Sequence, residues 1–179
     1  SIAVAGSTHS SAAAAKAVRV DYAPLPALLD VHAAIAANAF HLPPAKVERG
    51  DAGAGLANAP HRLHGELMIG GQDHFYLETQ ACWAQVDSEG VVQLTASTQH
   101  PSETQHMVAH VLGIPSNRVV CRCLRMGGGF GGKETQANPF AAAAALAAWK
   151  TGRPARVKLH RALDMQLTGK RHPFFARFE

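Results

Sequence analysis

The residues best suited to chemistry form a glycine-rich run, Arg-Met-Gly-Gly-Gly-Phe-Gly-Gly-Lys-Glu-Thr, at 125–135. Five glycines surround Phe130, so few Cβ atoms cover the backbone and its N–H groups can approach a ligand closely. The run follows a predicted strand and precedes a predicted helix, a position where backbone amides favour anionic or oxo groups. One glycine would suffice for a tight turn, and each further glycine costs conformational entropy. The pattern therefore favours a ligand-binding loop over a structural turn.

Two nucleotide-binding signatures nearly fit this glycine loop, and each fails at a required residue. Gly127, Gly129 and Gly132 have the G-x-G-x-x-G spacing of dinucleotide-binding folds. An acidic residue should then follow about 20 residues later to bind the ribose, but that distance falls near Gly152. The loop also matches G-x-x-x-x-G-K, but Glu134 replaces the Ser or Thr that would hold magnesium, and its carboxylate would repel phosphates. We exclude both signatures.

A histidine pair on the helix predicted at 101–112 is a second candidate site. His106 and His110 are spaced i, i+4, with Glu103 on the same side, which suggests a metal site. The H-E-x-x-H order is absent and no third ligand is local, so a solvated face is favoured. The opposite, apolar face is expected to consist of Met107, Val108, Val111 and Leu112.

The cysteines give no disulfide framework, because Cys82, Cys121 and Cys123 are few and odd in number. Cys121 and Cys123 are expected on one face of a strand, but two ligands without a second pair make a poor zinc site. We therefore expect reduced, structural cysteines, which favours a cytoplasmic location. No run of 18 uncharged apolar residues occurs, so no membrane partner is expected. No signal-peptide pattern occurs either, but the chain does not begin with Met, so this absence carries no conclusion.

The whole chain has a net charge of +4, and its positive charges are concentrated toward the C-terminal end. Such a bias can mark a nucleic-acid or anion partner. No nucleic-acid recognition motif accompanies it, so a solvated or interface-facing surface is favoured, and a basic binding module is the alternative of a different class. The basic residues from 150 onward are Lys150, Arg153, Arg156, Lys158, Arg161, Lys170, Arg171 and Arg177.

The elements that must position the glycine loop mix helices and strands without a regular β-α-β order, which predicts an α+β fold. The stretch 41–63 is broken by repeated proline and glycine and is predicted to be a loop at a domain junction. Before it we predict a helix at 10–17 capped by Ser10 or Ser11, a strand at 18–22, a turn at 24–26 and a helix from Asp30 to about Ala39.

After the junction, alternating apolar residues predict strands and proline or glycine residues bound the helices. An Ala-rich helix after the glycine loop is apolar nearly all round and is expected to be buried. The predicted strands are Gly65–Ile69, Asp73–Thr79, Cys82–Val86, Val91–Ser97, Val119–Leu124 and Ala155–His160, and the helices are Pro101–Leu112 and about Asn138 to Lys150.

Five short blocks in collinear order resemble the molybdenum hydroxylases, and within them the xanthine dehydrogenase and oxidase group. The loop Met126–Glu134 resembles the cofactor loop of that family, and 70–79, Gly-Gly-Gln-Asp-His-Phe-Tyr-Leu-Glu-Thr, resembles its G-G-Q-[ED]-H-F-Y-L-E-T block. The other blocks are Ser97–Gln99, Lys150–Pro154 and Gly169–Phe174.

The resemblance implies a domain division and a set of cofactors. Residues 1–50 resemble the end of a small α/β hammerhead domain, 51–64 would be a linker, and 65–179 would begin the α+β molybdopterin-binding domain. The cofactor would be molybdenum-molybdopterin, with 2Fe-2S clusters and FAD on other modules of the full enzyme. The expected partners are therefore an iron–sulfur and flavin subunit or domain and the remainder of the molybdopterin domain, with no nucleic acid.

The resemblance also assigns site residues. Gln72 matches a glutamine that hydrogen-bonds near the oxygen ligands of molybdenum, and its neutral amide could donate or accept there without adding charge. Gly129, Phe130 and Gly131 match cofactor-binding positions, and the resemblance implies that Phe130 and Gln72 would lie close to the molybdenum without binding it directly. Glu134 matches a substrate-facing glutamate that favours purines. Lys133 is expected to pair with Glu134 or to face solvent, with no catalytic role.

The implied reaction is hydroxylation of hypoxanthine or xanthine toward urate. An aldehyde oxidase-like member of the same superfamily is the alternative, since those proteins resemble this chain but carry an apolar residue at the position of Glu134. Whether NAD or oxygen accepts the electrons stays open.

The family's second substrate residue, an arginine, and its catalytic glutamate belong to motifs that these 179 residues do not contain. We therefore expect the isolated chain neither to bind molybdenum stoichiometrically nor to oxidise xanthine, because a cofactor held from two sides loses most of its contacts when one side is missing. Metal analysis of the purified chain checks this expectation, and a value near one molybdenum per chain would contradict it.

Overall fold

The computed structural model of the chain describes residues 4–179 and confirms the predicted mixture of helices and strands. The helices are α1 (Thr8–Ala17), α2 (Val31–Ala36), α3 (Ala52–Ala57), α4 (Pro101–Leu112), α5 (Asn138–Thr151) and α6 (Arg161–Leu167), with a 3-10 turn at Ser116–Arg118. The strands are β1 (Gly65–Ile69), β2 (Ala81–Val86), β3 (Val92–Ala96), β4 (Val119–Arg122), β5 (Ala155–Lys158) and β6 (Phe174–Phe178).

The chain forms two compact units, and each unit is built from two separate stretches of the sequence. The larger unit combines the residues up to Val20 with Asp73–Lys170, and the smaller one combines Asp21–Gln72 with Arg171–Glu179. The predicted division at 1–50, 51–64 and 65–179 follows sequence order instead, and it stays a prediction.

A four-stranded sheet with the order β4-β3-β2-β5 forms the core of the larger unit. Strands β2 and β3 are an antiparallel hairpin, β5 is antiparallel to β2, and β4 is parallel to β3. Alternate residues of β2 and β3 point to one face, where Cys82, Ala84, Val92 and Leu94 are buried. That face packs against α4 and α5, so the apolar alternation in the sequence determines which side of the sheet the helices cover.

The two covering helices begin and end where proline and glycine predict. Pro101 opens α4 and Gly113 ends it in the left-handed region at φ 67°, while Gly152 ends α5 at φ 65°. The small alanines of α5 let it lie close to the sheet, and Ala141, Ala144, Ala145 and Ala148 are fully buried.

The predicted apolar face of α4 is correct only in part. Met107 and Val111 are exposed, and the buried residues are Thr104, Val108 and Ala109. Thr104 belongs to the buried face because its hydroxyl pairs with Thr98 and with the side-chain oxygen of Asn138. A polar residue with satisfied hydrogen bonds thus takes the place of an apolar one.

The smaller unit contains a two-stranded antiparallel sheet and two short helices. Strand β1 pairs with β6 in the register Gly65 to Phe178, and the cross-strand pair Glu66 and Arg177 forms an ion pair at 2.7 Å. Asp30 caps α2, and Asp51 caps α3 through a hydrogen bond of 2.9 Å to the backbone N–H of Ala54. The predicted first helix of this unit is therefore present but ends at Ala36.

Several predicted elements differ from the structure for identifiable reasons. Residues 18–22 form no strand and pair with none in the described part of the chain. The N-cap of α1 is Ser7, whose hydroxyl accepts from Ser10 N–H at 3.1 Å. Strand β4 ends at Arg122, so Cys123 lies beyond it and shares no strand face with Cys121. Neither α6 nor β6 is among the predicted elements, and α3 interrupts the predicted loop at 41–63.

Candidate functional site

The glycine loop connects the end of β4 to the start of α5 and has an unusual backbone. Gly128, Phe130 and Gly131 all have left-handed φ values, of 94°, 52° and 84°. A non-glycine residue in this region costs about 1–3 kcal/mol and persists only where its surroundings enforce it. The Phe130 side chain gains no burial in return, because it is 75% exposed. Strain of this kind is typical of a ligand-binding loop.

Three of the glycines are required because other side chains lie directly against them. An added Cβ would lie 2.6 Å from Glu78 Cβ at Gly127, 2.5 Å from Gln99 Oε1 at Gly129 and 2.7 Å from the Tyr76 ring at Gly132. The repeated glycines thus allow the loop to pack against three separate partners.

Gln99 is the side chain that holds the second half of the loop. Its Oε1 accepts hydrogen bonds from the backbone N–H groups of Gly131 at 3.0 Å and Lys133 at 3.1 Å. The backbone N–H of Gln99 donates to the carbonyl of Lys133 at 2.8 Å. Within residues 4–179 its Nε2 has no hydrogen-bond partner. This arrangement places a free amide donor beside the loop.

Sequence reasoning missed Gln99 as a site residue and used it only as part of a family block. Gln99 follows β3, and the glycine loop follows β4, which is parallel to β3. The carboxyl ends of neighbouring parallel strands lie at one sheet edge, where ligands of α/β sheets commonly bind. A sequence prediction of parallel pairing between these two strands would have identified the glutamine.

Three backbone donors of the loop are left without an acceptor. Gly127, Gly131, Gly132 and Lys133 donate to other parts of the chain. In the part of the chain that the structure describes, the N–H groups of 128–130 have no such partner. Adjacent unpaired amides on a bare backbone suit an anionic or oxo group. The donor set therefore fits the kind of ligand that the sequence predicted for the loop.

Lys133 and Glu134 are neighbours in sequence but face opposite environments. Glu134 is exposed and makes no hydrogen bond or ion pair with the described residues. Lys133 is fully buried, and its Nζ lies 2.7 Å from Ser97 Oγ and 3.3 Å from Glu78 Oε2. The prediction that Lys133 pairs with Glu134 or faces solvent is wrong, because the apolar stem and ammonium group of Lys133 turn into the unit.

The segment at 73–80 includes the predicted strand Asp73–Thr79, but it pairs with no strand among the described residues and is held by side chains instead. Asp164 accepts from Tyr76 Oη at 2.7 Å and from the backbone N–H of Gln80 at 2.6 Å. Burial, reinforced by the bond to Asp164, raises the pKa of Tyr76. The Nε2 of Gln80 donates to the carbonyl of Gly132 at 3.1 Å, which connects this segment to the glycine loop.

Gln72 lies in the smaller unit, where its backbone forms an isolated bridge with Arg171. Its N–H donates to the Arg171 carbonyl at 3.1 Å and its carbonyl accepts from Arg171 N–H at 3.0 Å. Its side chain is exposed. The assignment of Gln72 to the cofactor stays a prediction.

The other candidate groups have no special arrangement in the described residues. His106 and His110 are exposed, as a solvated face requires, and no cluster of three or more metal-ligating side chains occurs between residues 4 and 179. The cysteines are free, and burial raises the pKa of the Cys82 thiol to about 12 and that of Cys121 to about 11. No helix in the described ranges has both the length and the apolar character needed to span a bilayer.

Comparison with known proteins gives consistent matches. The sequence model of the molybdopterin cofactor-binding domain family matches residues 31–179. Xanthine dehydrogenase/oxidase of Felis catus is 49% identical over 167 residues, which cover 93% of this chain and 12% of the relative. Xanthine dehydrogenase of Emericella nidulans is 43% identical over 166 residues, 92% of this chain and 12% of the relative. The chain thus spans about an eighth of the length of these relatives.

Two solved structures resemble the chain over most of its length. Aldehyde oxidoreductase from Desulfovibrio gigas has a TM-score of 0.81 and 29% identity, and the match covers 94% of this chain and 19% of that protein. Quinoline 2-oxidoreductase from Pseudomonas putida 86 has a TM-score of 0.74 and 28% identity, with 88% and 21% covered. Both are oxidoreductases by name, and both are much longer than this chain.

The close approach of Gln99 to the loop gives a testable expectation for Gly129→Ala. The new methyl group would overlap the Gln99 amide, and overpacking of this kind costs about 1–3 kcal/mol. We expect hydrogen exchange of the Gly131 and Lys133 amides to become faster, because both donate to that glutamine. Gly55→Ala is the control, since a Cβ at Gly55 meets nothing within 4 Å. Equal exchange in both variants would show that the loop does not depend on this contact.

Proposed function

The chain belongs to the molybdopterin cofactor-binding domain family, and from this premise we propose that it forms part of the molybdenum–pterin site of a xanthine dehydrogenase-type hydroxylase. The observation that carries the proposal is the strained glycine loop, in which three backbone amides and the nearby Nε2 of Gln99 have no acceptor among residues 4–179. The reaction would be the hydroxylation of hypoxanthine or xanthine toward urate.

The residues of the loop fit the proposed cofactor through their backbone groups. Among the described residues the amides of Gly129 and Phe130 have no acceptor, and the missing Cβ at Gly129 lets the Gln99 amide lie against the loop. When bound, the molybdenum–pterin group supplies the two-electron oxidation that accompanies hydroxylation of an electron-poor carbon. Donors already fixed in place stabilise charge as it develops without reorganising during the reaction. Gly131 contributes by its bond to Gln99, which fixes the loop behind Phe130.

Gln72 is proposed as a further ligand to the cofactor on the resemblance of its sequence block. Its amide would donate or accept near the oxygen ligands of the metal without changing the charge of the site. Gln99 offers the same chemistry and already touches the loop through its Oε1. The two glutamines can therefore be tested against each other.

Glu134 is proposed to select purine substrates. Its carboxylate is exposed and is not neutralised by Lys133, which is buried against Glu78. A free carboxyl group can hydrogen-bond with ring nitrogens, which need polar partners once a purine is enclosed. It does not act as the general base in this proposal, since that role belongs to a glutamate of another family motif.

An aldehyde-oxidising activity is the second candidate function. The similarity to aldehyde oxidoreductase from Desulfovibrio gigas, at a TM-score of 0.81, favours it. The identities of 49% and 43% to xanthine dehydrogenases favour purines, and so does a carboxylate at position 134. We therefore prefer the purine hydroxylase.

The partners follow from the same proposal, because the chain spans only 12–13% of the length of its curated relatives. They are an iron–sulfur and flavin subunit or domain, which would carry electrons away, and further parts of the molybdopterin domain. A cytoplasmic location remains part of this proposal. Nucleic acid is not proposed as a partner, because several basic groups bond within the chain. These are Arg161, Lys170, Arg171 and Arg177.

Glu134→Val in a full-length holoenzyme that carries this sequence tests the proposed function. One unpaired purine nitrogen costs about 1–3 kcal/mol, so kcat/KM for xanthine should fall by that amount, whereas an aromatic aldehyde gains from the apolar wall. The measurement is the ratio of kcat/KM for purine over aldehyde, with Thr135→Val at the exposed neighbouring position as control. A ratio that changes by less than about twofold, below the ~1 kcal/mol of one hydrogen bond, would show that Glu134 does not select the substrate.

The two glutamines can be separated by Gln72→Ala and Gln99→Ala in the same holoenzyme. Loss of a hydrogen-bond donor to a developing oxyanion typically lowers kcat by about 10²–10³, and we expect Gln72→Ala to lower kcat by at least tenfold, with molybdenum retained. Gln99→Ala should in addition lower the molybdenum content, because the loop loses two backbone hydrogen bonds. Gln166→Ala on the exposed side of α6 is the control. Wild-type kcat in Gln72→Ala would refute the assignment of Gln72.

A further inference from the structure

Glu78 binds the first glycine of the loop through both its backbone and its side chain. The backbone N–H of Glu78 donates to the carbonyl of Gly127 at 3.0 Å, and Glu78 Oε2 accepts from the N–H of Gly127 at 2.9 Å. The same Oε2 accepts from Ser97 Oγ at 2.6 Å and from Lys133 Nζ at 3.3 Å. One carboxylate oxygen therefore receives donors from three separate parts of the chain.

Lys133 holds the other end of the loop in the same way. Its N–H and carbonyl both bond to Gln99, and its Nζ donates to Ser97 Oγ at 2.7 Å. The Nζ also lies 4.7 Å from the centre of the Tyr76 ring, within reach of a cation–π interaction. The residues between the two attachment points are 128–132, which include the three unpaired amides.

The burial of Lys133 makes its ion pair with Glu78 costly, because the charged ammonium is removed from water. Its side chain is 0% exposed, whereas the Glu78 side chain is 38% exposed. Burial lowers the pKa of Lys133, and the charge of Glu78 opposes that effect. Burial raises the pKa of Glu78, but the bonds from Ser97 and Gly127 outweigh it, so the pKa lies below its ordinary value. Two apolar side chains in place of Lys133 and Glu78 would avoid the cost of removing charges from water. The presence of the ion pair therefore indicates that it serves to hold the two residues in fixed positions.

We propose that Glu78 and Lys133 are positioning residues whose ion pair fixes the distance between the two ends of the glycine loop and so keeps the free amides of 128–130 directed at the cofactor. Neither side chain contacts the cofactor in this account. A loop with three left-handed residues needs several independent attachments to hold one conformation. The inference rests on the proposed function, because directed amides matter only if the loop binds the molybdenum–pterin group.

Removal of one partner should affect the loop more than removal of both. Glu78→Gln leaves a fully buried ammonium without its counterion, which is strongly unfavourable. Lys133→Met leaves a carboxylate that water can still reach, so its effect should be smaller. The double variant has no uncompensated charge and should recover part of the loss. Ser97→Ala keeps both charges and removes only the bridging hydroxyl, so it serves as a mild variant that should fold.

The experiment uses a full-length holoenzyme that carries this sequence, in the wild-type form and with these variants. Hydrogen exchange reports on the amides of 127–133, and the electron paramagnetic resonance signal of Mo(V) reports on the surroundings of the metal. Molybdenum content is measured in each sample. The matched controls are Glu89→Gln and Lys158→Met, which change exposed charges of the same unit whose side chains make no hydrogen bond or ion pair with other described residues.

We expect exchange of the Gly127 amide to accelerate by about tenfold or more in Glu78→Gln, the size expected for one hydrogen bond to a charged acceptor. Lys133→Met should show the same change to a smaller degree, and both should shift the Mo(V) signal. The amides of β2 and β3 should keep their protection. The double variant should exchange more slowly than Glu78→Gln, and both controls should match the wild type.

Two results would overturn the positioning role. One is a Mo(V) signal that is identical in the wild type and in every variant, including Ser97→Ala. The other is a loss of protection that extends equally over β2, β3 and the loop, which would make the ion pair a general stabilising contact. A wild-type holoenzyme without molybdenum would instead refute the proposed function, and this inference with it.

Discussion

In the larger unit, the parts outside the sheet are held in place by a buried carboxylate on α6, that of Asp164. It is 2% exposed and accepts from Tyr76 Oη, from the N–H of Gln80 and from Thr168 Oγ1. A buried charge is tolerated only when its hydrogen bonds are satisfied. The segment at 73–80 must therefore lie against α6. Its Gln80 side chain bonds to the Gly132 carbonyl, so the position of this segment also determines where the glycine loop can lie.

The elements that sequence alone predicted are those whose signals are local. Alternating apolar residues predict β2 and β3. Pro101 marks the start of α4 and Gly113 marks its end, and both signals lie in the helix's own sequence. The glycine loop was predicted as a site because one glycine would suffice for a tight turn, whereas the structure shows that three of the glycines are needed for packing. Glu134 is exposed, and its substrate-facing role stays a prediction.

The features that sequence did not predict depend on distant partners. The segment at 73–80 alternates like a strand, but its hydrogen bonds go to Asp164 and Arg161, which lie more than 80 residues later. Lys133 looked like an exposed lysine because its partner Glu78 is 55 residues away. Gln99 needed the parallel pairing of β3 with β4, which a single sequence does not reveal. In each case a tertiary contact, rather than a local propensity, decides the outcome.

The same long separations determine the order in which the unit can form. The β2–β3 hairpin closes a loop of few residues, whereas the bond from Gly127 to Glu78 spans 49 residues and the bond from Tyr76 to Asp164 spans 88. Closure entropy grows with loop length, and contacts distant in sequence slow folding. The hydrogen bonds that fix the glycine loop and the segment at 73–80 therefore cost more entropy to close than the hairpin does. During biosynthesis the hydrogen bonds that hold the segment at 73–80, and through it the glycine loop, can be completed only after Asp164 has joined the chain.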